Sequence, residues 1–296
     1  MGSRAGGRIT RGARYRAIYR YRRRFGVERA SAVFGVSRSA YYAWVTRMDK
    51  PDADQERLQL VLEAYEKSRK TYGYRRIQIW IEREYGIIIN HKAVLRLMRK
   101  LNIRSIARRR DPRRYYHKRY WSLNTTQNLL KQDFSAQGPN EKWGTDITYI
   151  NTNKGFVYLA VIKDFFDGTI LGHALSRNLS PQMVLQAVSL ASSKSQTTQG
   201  VILQSDRGFQ FQTDAYRSLI KQFGITPSMS RKGNCLDNAP TESFFSHLKE
   251  ELLRHIKIKD FKDAVQVVDD YIHFYNHDRI QLKTKLTPLE FRRQFV

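Results

Sequence analysis

The sequence predicts an α/β domain with a mixed five-stranded sheet and flanking helices, preceded by all-helical modules of helix-turn-helix type. Three observations predict it. Strand-like and helix-like stretches alternate from Trp143 onward, the basic charge is concentrated before residue 121, and two helix–turn–helix patterns occupy that basic part.

The 296 residues carry 53 Lys and Arg against 27 Asp and Glu, a net charge of +26. A polyanion is the natural partner, which excludes an acidic buffer protein and a metabolic enzyme of ordinary neutral surface. An apolar content of 41% with 12% aromatics is enough to build cores, so the chain is folded and not a disordered polycation. Its length suits two or three modules. Residues 1–120 hold 32 basic and 10 acidic side chains, a net of +22, whereas residues 121–296 hold 21 and 17, a net of +4. A cation field so localised neutralises phosphates and speeds association without reading sequence. A solvated charged surface is the plain alternative.

Cys235 is the only cysteine. It excludes an intrachain disulfide and a cysteine-rich zinc cluster, and it fits a reducing compartment. The longest apolar run, Phe156 to Ile162, is far short of the roughly 20 residues that cross a bilayer, and no apolar stretch follows the N-terminal arginines. Neither a membrane span nor secretion is expected. The first dozen residues, rich in Gly and Arg, are expected to be a flexible start outside the fold.

In order along the chain, residues 1–50 form a basic helical region. Glu28 to Phe34 is a short helix, Gly35-Val36-Ser37 a turn with an N-cap, and Ser39 to Met48 a second helix carrying Tyr41, Tyr42 and Trp44 between Arg38 and Arg47. That shape suits a recognition helix with Arg38 and Arg47 toward DNA, although each aromatic taken singly is better read as core. A second module of this type covers residues 51–104. Tyr74 to Tyr85 ends at Gly86, Asn90 caps the next helix, and Val94, Leu97, Met98 and Leu101 recur as one apolar face that leaves Arg96 outside it. An ordinary helical bundle is the alternative, but two such units in a basic segment favour DNA. Residues 105–135 are a basic linker whose run includes Arg108, Arg109 and Arg110, suited to tracking a phosphate backbone, or else a solvated hinge.

Residues 136–296 hold the α/β domain. Strands are expected at 144–150, 156–164, 169–175 and 201–205 with a short fifth at 225–229, and helices at 181–192 and 213–223. A three-strand meander followed by parallel strands with crossover helices gives a mixed sheet with helices on its faces. A ribonuclease H-like fold has this order, though other α/β folds share part of it. In the last long helix Phe261, Ala264, Val265, Val268, Tyr271, Ile272 and Tyr275 repeat at helical spacing, a core stripe or otherwise a subunit contact.

Three carboxylates stand at informative places: Asp146 in the first strand, Asp206 at the carboxyl end of the fourth, and Glu242 in the first turn of a helix after Pro240. Asp237 or Asn238 is placed to satisfy that helix's free amides. Spacing alone is weak evidence among 27 acidic residues. The chemistry is stronger. Two Mg²⁺ ions can clamp the attacking and leaving oxygens of a phosphodiester, and Mg²⁺ is held by hard carboxylate oxygens. Three carboxylates close together repel one another without a metal, so such a triad is a poor structural device and a good metal site.

The blocks P-N-E-K-W-G-T-D-I-T-Y-I (Pro139 to Ile150), Q-S-D-R-G-F-Q-F (Gln204 to Phe211) and S-R-K-G-N-C-L-D-N-A-P-T-E-S-F-F-S-H-L-K-E-E-L (Ser230 to Leu252) carry a family resemblance. They resemble the catalytic region of DDE transposases, most closely the second-frame (OrfB) product of the insertion sequence three family, which also resembles retroviral integrases. The likeness covers nearly the whole chain. G-V-S-R-S-A-Y-Y-A-W and Y-G-Y-R-R-I are similar to that family's upstream helical modules, and Y-N-H-D-R-I-Q with L-T-P-L-E-F to its C-terminal signature.

The resemblance implies that Asp146, Asp206 and Glu242 are catalytic ligands of Mg²⁺ or Mn²⁺, two ions in all. It implies 3′-end cleavage followed by strand transfer on double-stranded DNA. Lys249, two helical turns past Glu242, is placed to reach a terminal base or phosphate, or else to make a salt bridge near Glu250. Arg231 and Lys232 lie in the loop before the glutamate, where they can touch DNA phosphates or simply solvate the loop. Asn238 is either an orienting group or a cap. A homo-oligomer on DNA, a first-frame (OrfA) partner or fusion, and a bacterial cytoplasmic, nucleoid-associated location follow from the same likeness. Two departures stand out: Gln204 replaces a common His, and Arg279-Ile280-Gln281 replaces R-P-H. A noncatalytic DNA-binding regulator and a nuclease that never joins ends are the rival readings.

Overall fold

The computed structural model describes residues 10–48, 54–107, 126–231 and 234–296. The described contacts divide the chain into two compact units, Met1–Arg57 and Leu58–Val296.

The first unit holds α1 (Arg11–Phe25), α2 (Val27–Phe34) and α3 (Arg38–Met48). Of the first dozen residues, expected to lie outside the fold, 1–9 are outside the described residues, and Thr10 to Gly12 instead open helix α1. Thr10 caps it through a 3.3 Å bond from Ala13 N–H, and Tyr15, Ile18 and Tyr19 give it one apolar edge against Ala30, Tyr41 and Trp44. Local arginine density hid that edge. Between α2 and α3, Gly35 adopts φ 58°, a left-handed helix end that glycine accepts without strain, and Ser37 Oγ accepts from Ala40 N–H. Tyr41 is core, Trp44 packs against it and Tyr42 is exposed.

The second unit begins with a bundle of α4 (Gln55–Lys67), α5 (Tyr74–Tyr85) and α6 (His91–Lys100), the first of which was not anticipated. Asn90 caps α6 through Lys92 N–H at 2.9 Å. Val94, Leu97 and Met98 are buried against Val61, Ala64, Ile77 and Ile81, and Arg96 faces outward.

The sheet comprises β1 (Lys142–Thr152), β2 (Gly155–Asp164), β3 (Ile170–Ser176), β4 (Ile202–Ser205) and β5 (Thr226–Met229), ordered β3-β2-β1-β4-β5. The pairs β1–β2 and β2–β3 are antiparallel, and β1–β4 and β4–β5 are parallel. This is the ribonuclease H-like arrangement expected. Helices α7 (Pro181–Lys194) and α8 (Asp214–Gln222) cover one face, where Ala160 and Ile162 point. Helices α9 (Ala239–Leu248) and α10 (Phe261–His277) cover the other, where Leu159 and Val161 point. A strand buried on both sides reads as an unbroken apolar run, which is why Phe156 to Ile162 has no polar alternation. The α10 stripe is core: Ala264, Val268, Tyr271, Ile272 and Tyr275 are buried in the second layer. A last helix, α11 (Pro288–Arg292), starts from a capping box of Thr287 and Glu290. Among the described residues no helix is long and apolar enough to cross a membrane.

Candidate active site

Strands β1 and β4 run parallel with Lys142, Trp143 and Gly144 opposite Ile202, Leu203 and Gln204. Asp146 lies two residues past Gly144 on β1, and Asp206 lies two residues past Gln204, just beyond the end of β4. Asp146, two steps along β1, stands on the same face of the sheet as Gly144. Strand β4 ends at Ser205, so the chain leaves the sheet at Asp206, at the carboxyl end of a parallel strand. Clefts of open α/β sheets form at such strand ends.

Which face this is follows from Gly144. A Cβ there would lie 2.2 Å from Thr241 Oγ1 and 2.4 Å from the Phe165 ring, so only glycine lets α9 seat directly on β1. Two hydrogen bonds hold that seat. Asn238 Nδ2 donates to Thr145 O at 3.0 Å, and Lys163 Nζ, opposite Gly144 on β2, donates to Pro240 O at 2.9 Å. Thr241 is the sequence neighbour of Glu242. The first turn of α9, Glu242 included, is therefore pinned to the face on which Asp146 stands.

Asp146 is buried, Asp206 half-buried and Glu242 exposed. Asp146 Oδ1 accepts from Ile147 N–H and Asp206 Oδ1 from Gly208 N–H, both at 2.8 Å, which orients the two carboxylates. Among the described residues no three His, Cys, Asp or Glu side chains are gathered closely enough to form a ready metal cage. The fold sets Asp146 on the face of β1 that α9 covers, leaves Asp206 just past the end of the neighbouring parallel strand, and seats the helix of Glu242 on the face of Asp146. Like charges resist closure unless a cation compensates them. The donor set nonetheless fits a hard divalent ion, because Mg²⁺ takes one or two carboxylates and keeps several waters.

The other anticipated residues separate. Asn238 does not cap α9 with its side chain; it ties α9 to β1 instead. Asp237 does not cap α9 either. Its buried carboxylate accepts from Arg231 through the main-chain N–H at 2.8 Å and through Nε and Nη2 at 3.1 and 2.9 Å, and also from Asn128 Nδ2 and Gln132 Nε2. The hydrogen bonds from Arg231 hold the Asp237 carboxyl well below the usual carboxylate range. The Arg231 guanidinium is accordingly committed to the loop that precedes α9. Lys249 opens a single π-helical turn, Lys249–Leu253, and its Nζ lies 5.6 Å from the ring centroid of Tyr149, three residues past Asp146 on β1. The carboxylate of Glu250 pairs with Arg254. Arg38 pairs with Glu28 at 3.3 Å, Arg47 Nε donates to Ala43 O at 2.9 Å, and both are exposed, as is Arg96. Lys232, Arg108, Arg109 and Arg110 lie outside the described residues.

Both departures from the family pattern have local explanations. Gln204 is fully buried, accepts from Ser228 Oγ and donates to Ser230 Oγ, so it fastens β5 to β4. Ile280 fills the core of the α4–α6 bundle, and Gln281 Nε2 donates to Asp167 O at 2.6 Å. Sequence reasoning missed a buried pair, Glu251 with Arg279; its only signal was an acidic residue falling on the apolar stripe of α9.

The model of the Integrase core domain family matches residues 136–235, a second Integrase core domain model matches residues 242–296, and that of the HTH-like domain matches residues 52–111. The chain is 38% identical over 260 residues to the putative transposase InsK for insertion sequence element IS150 of Escherichia coli K12, covering 88% of this chain and 90% of that one. It is 34% identical to the transposase InsF for insertion sequence IS3A of the same organism, covering 81% and 84% of the two chains. The chain belongs to the IS3-family insertion-sequence transposases. In this transposase Asp146 and Asp206 fall in the first integrase-core match and Glu242 is the first residue of the second, while α5 and α6 fall in the HTH-like match. Another relative is a 31 kDa protein of insertion element IS600 from Shigella sonnei, 38% identical over 89% of this chain and 97% of its own. Similar solved structures include the simian T-cell lymphotropic virus intasome in complex with PP2A regulatory subunit B56 gamma, with TM-score 0.46, 13% identity and coverage of 77% and 73%. The HTLV-2 integrase catalytic core domain in complex with magnesium gives TM-score 0.43, 16% identity and coverage of 53% and 99%.

Proposed function

We propose that this transposase is a DDE-type polynucleotidyl transferase that hydrolyses a phosphodiester at the 3′ end of its element and then joins that end to a second DNA. The observation that supports the reading is that Asp146 stands on β1 and Asp206 just past the end of the adjacent parallel strand β4, with the helix of Glu242 seated on the face of Asp146 by Asn238 and Gly144. Mg²⁺ or Mn²⁺ held by these three carboxylates, as two ions, would supply charge neutralisation at the phosphate and a more acidic attacking water or hydroxyl.

The chain's own residues do the rest. Asp146 and Asp206 present oxygens from adjacent strands, each carboxylate steadied by a main-chain N–H. Asn238 and Lys163 hold the glutamate's helix at a set depth against β1, on the side from which Glu242 would join the two aspartates at the phosphate. Lys249 offers a cation on the Tyr149 side of the site, suited to a base or phosphate beside the scissile bond. Arg231 shapes the loop before α9. Arg38, Arg47, Arg96 and the run Arg108 to Arg110, with Lys232, supply phosphate contacts that place element ends and target. Assembly of several copies on two DNA ends, with a first-frame product or fusion, completes the proposal.

Purified protein incubated with labelled element ends and Mg²⁺ tests it. Cut and joined products are expected, and Asp146→Asn, Asp206→Asn and Glu242→Gln each abolish both while DNA binding persists. Cutting without joining would favour a nuclease. Binding unaffected by all three substitutions, with no cutting by the native protein, would favour a regulator.

A further inference from the structure

The buried stripe of α9 runs through Thr241, Phe244, Phe245 and Leu248, and the next position on it is Glu251, a charge where a core residue is due. Glu251 lies in the π-helical turn that prolongs α9, closed by Arg254 N–H to Lys249 O at 3.1 Å. The side chains of Glu251 and Arg279 are each only 4% exposed. Arg279 meets the carboxylate with two nitrogens, Nε 2.8 Å from Oε2 and Nη2 2.7 Å from Oε1, and the Tyr271 hydroxyl donates to Oε2 at 2.9 Å. Burying two charges costs most of what their attraction returns, so such a pair is a weak source of stability; its best-attested use is to fix a register. π-helical turns likewise concentrate at functional sites.

Two structures meet at this pair. On one side it grips the turn that continues the helix of Glu242 and Lys249. On the other, Arg279 stands between two main-chain groups captured by one hydroxyl: Tyr72 donates to Asp278 O at 2.9 Å and accepts from Ile280 N–H at 2.7 Å. Tyr72 is buried just ahead of α5, and Ile280 packs in the core of the α4–α6 bundle. A continuous buried path therefore links the HTH-like bundle to the end of α9.

We infer that Tyr72, Arg279 and Glu251 form a positioning joint, through which the placement of the HTH-like bundle on DNA sets the seat of α9 and with it Glu242 and Lys249. The inference rests on the proposed cleavage for what the helix then does, but the joint has a readout of its own. It assigns a task to the Y-N-H-D-R-I-Q block, which the chemistry of the three carboxylates leaves without one.

The test uses the full chain and a duplex carrying the inverted repeat that flanks the gene. Amide hydrogen exchange of Ala239–Leu248 is measured with and without DNA in the native protein, in Tyr72→Phe, in Glu251→Met with Arg279→Met, and in Arg279→Lys. DNA is expected to raise α9 protection about tenfold in the native protein, a coupling of ordinary size. The gain is lost in Tyr72→Phe and in the double variant, which removes both charges at similar volume, while DNA affinity and unliganded protection are kept. Arg279→Lys retains charge without the fork and keeps part of the gain. In the cleavage assay the double variant spreads its cuts over neighbouring phosphodiesters. Equal gains in every variant, no gain in the native protein, or loss of protection throughout the fold before DNA is added would each overturn the joint. A gain that depends on Tyr72 in a protein that never cuts would uphold the joint and sink the cleavage reading.

Discussion

The side-chain amide of Asn238 donates to the main-chain carbonyl of Thr145 at 3.0 Å, joining the residue before α9 to the residue before Asp146. With the Lys163–Pro240 bond, this bond helps to set the distance between the helix of the glutamate and the strand of the first aspartate. Asn238→Ala removes it and leaves a buried carbonyl short of a donor, a cost of about 1–3 kcal/mol. Asn238→Asp sets a carboxylate against that carbonyl and is worse. We expect DNA binding to persist and cleavage to fall at least about tenfold in Asn238→Ala, a factor that corresponds to about 1.4 kcal/mol. Single-turnover cleavage beside a gel-shift titration checks it, and an unimpaired Asn238→Asp would show that the bond does not position the helix.

A second prediction concerns metal and stability. If Asp146 and Asp206 share a cation, Mg²⁺ or Mn²⁺ raises the melting temperature of the native protein, because a ligand that binds only the folded state stabilises it. Asp146→Asn with Asp206→Asn relieves carboxylate repulsion, so the doubly substituted protein melts at or above the native protein in chelator and no longer responds to either cation. Thermal melts with and without metal decide the matter; a retained response would place the cation elsewhere.

Gly144 makes a packing prediction. A Cβ there would stand 2.2 Å from Thr241 Oγ1 and 2.4 Å from the Phe165 ring, with the α9 seat behind them. Gly144→Ala is expected to destabilise by about 1–3 kcal/mol, as overpacking does. It should also lift α9 and lower cleavage beyond the loss of folded protein. Adding Thr241→Ala relieves one of the two clashes and restores part of the stability by denaturant titration.

The loop before α9 carries a pH dependence. The folded-state pKa of Asp237 is depressed by its hydrogen bonds from Arg231. A depressed carboxylate contributes stability that is complete above its unfolded value of about 3.9 and lost as pH falls through the folded value. As pH falls below about 4 the hold of this carboxylate on the segment around Asn128 and Gln132 should therefore weaken progressively, with release only in much stronger acid, where the folded-state carboxyl is protonated. Exchange protection at Ser228 to Arg231 should fall with it. Asp237→Asn should abolish the pH dependence while lowering protection at neutral pH; an unchanged acid profile in that variant would assign the effect to another carboxylate.

Salt dependence should divide as the charge does. Residues 1–120 hold a net +22 against +4 for the remainder, so the steep fall of DNA affinity with salt should reside mainly in the first part. Binding isotherms of the full chain with Arg38, Arg47 and Arg96 changed to Gln should show a shallower slope by about one phosphate contact each. An equal slope would remove those residues from the interface.

Much of this transposase is legible along the chain. Residues 156–164 read as a strand that the structure keeps as β2, Asn90 and Gly86 marked helix ends that it also keeps, and the stripe of α10 announced its buried side. These signals are local, because a cap, a turn or an amphipathic period is written within a few residues of where it acts. α1 escaped notice because its apolar edge of Tyr15, Ile18 and Tyr19 is diluted by arginines. The candidate carboxylates were legible as residue types in family-like blocks, and the bonds that seat the helix of Glu242 on β1 were not.

By itself the amino-acid order determined the element order, the basic N-terminal part and which acids were worth following. Only the tertiary structure decided that β1 lies parallel beside β4, that Asn238 binds Thr145 instead of capping, that Asp237 claims Arg231, and that Glu251 meets Arg279 in the core. The reason is physical. Register between strands and the partner of a buried polar group depend on which distant segment fills the adjacent space, and a low-dielectric interior obliges each buried charge to find a partner wherever along the chain it lies.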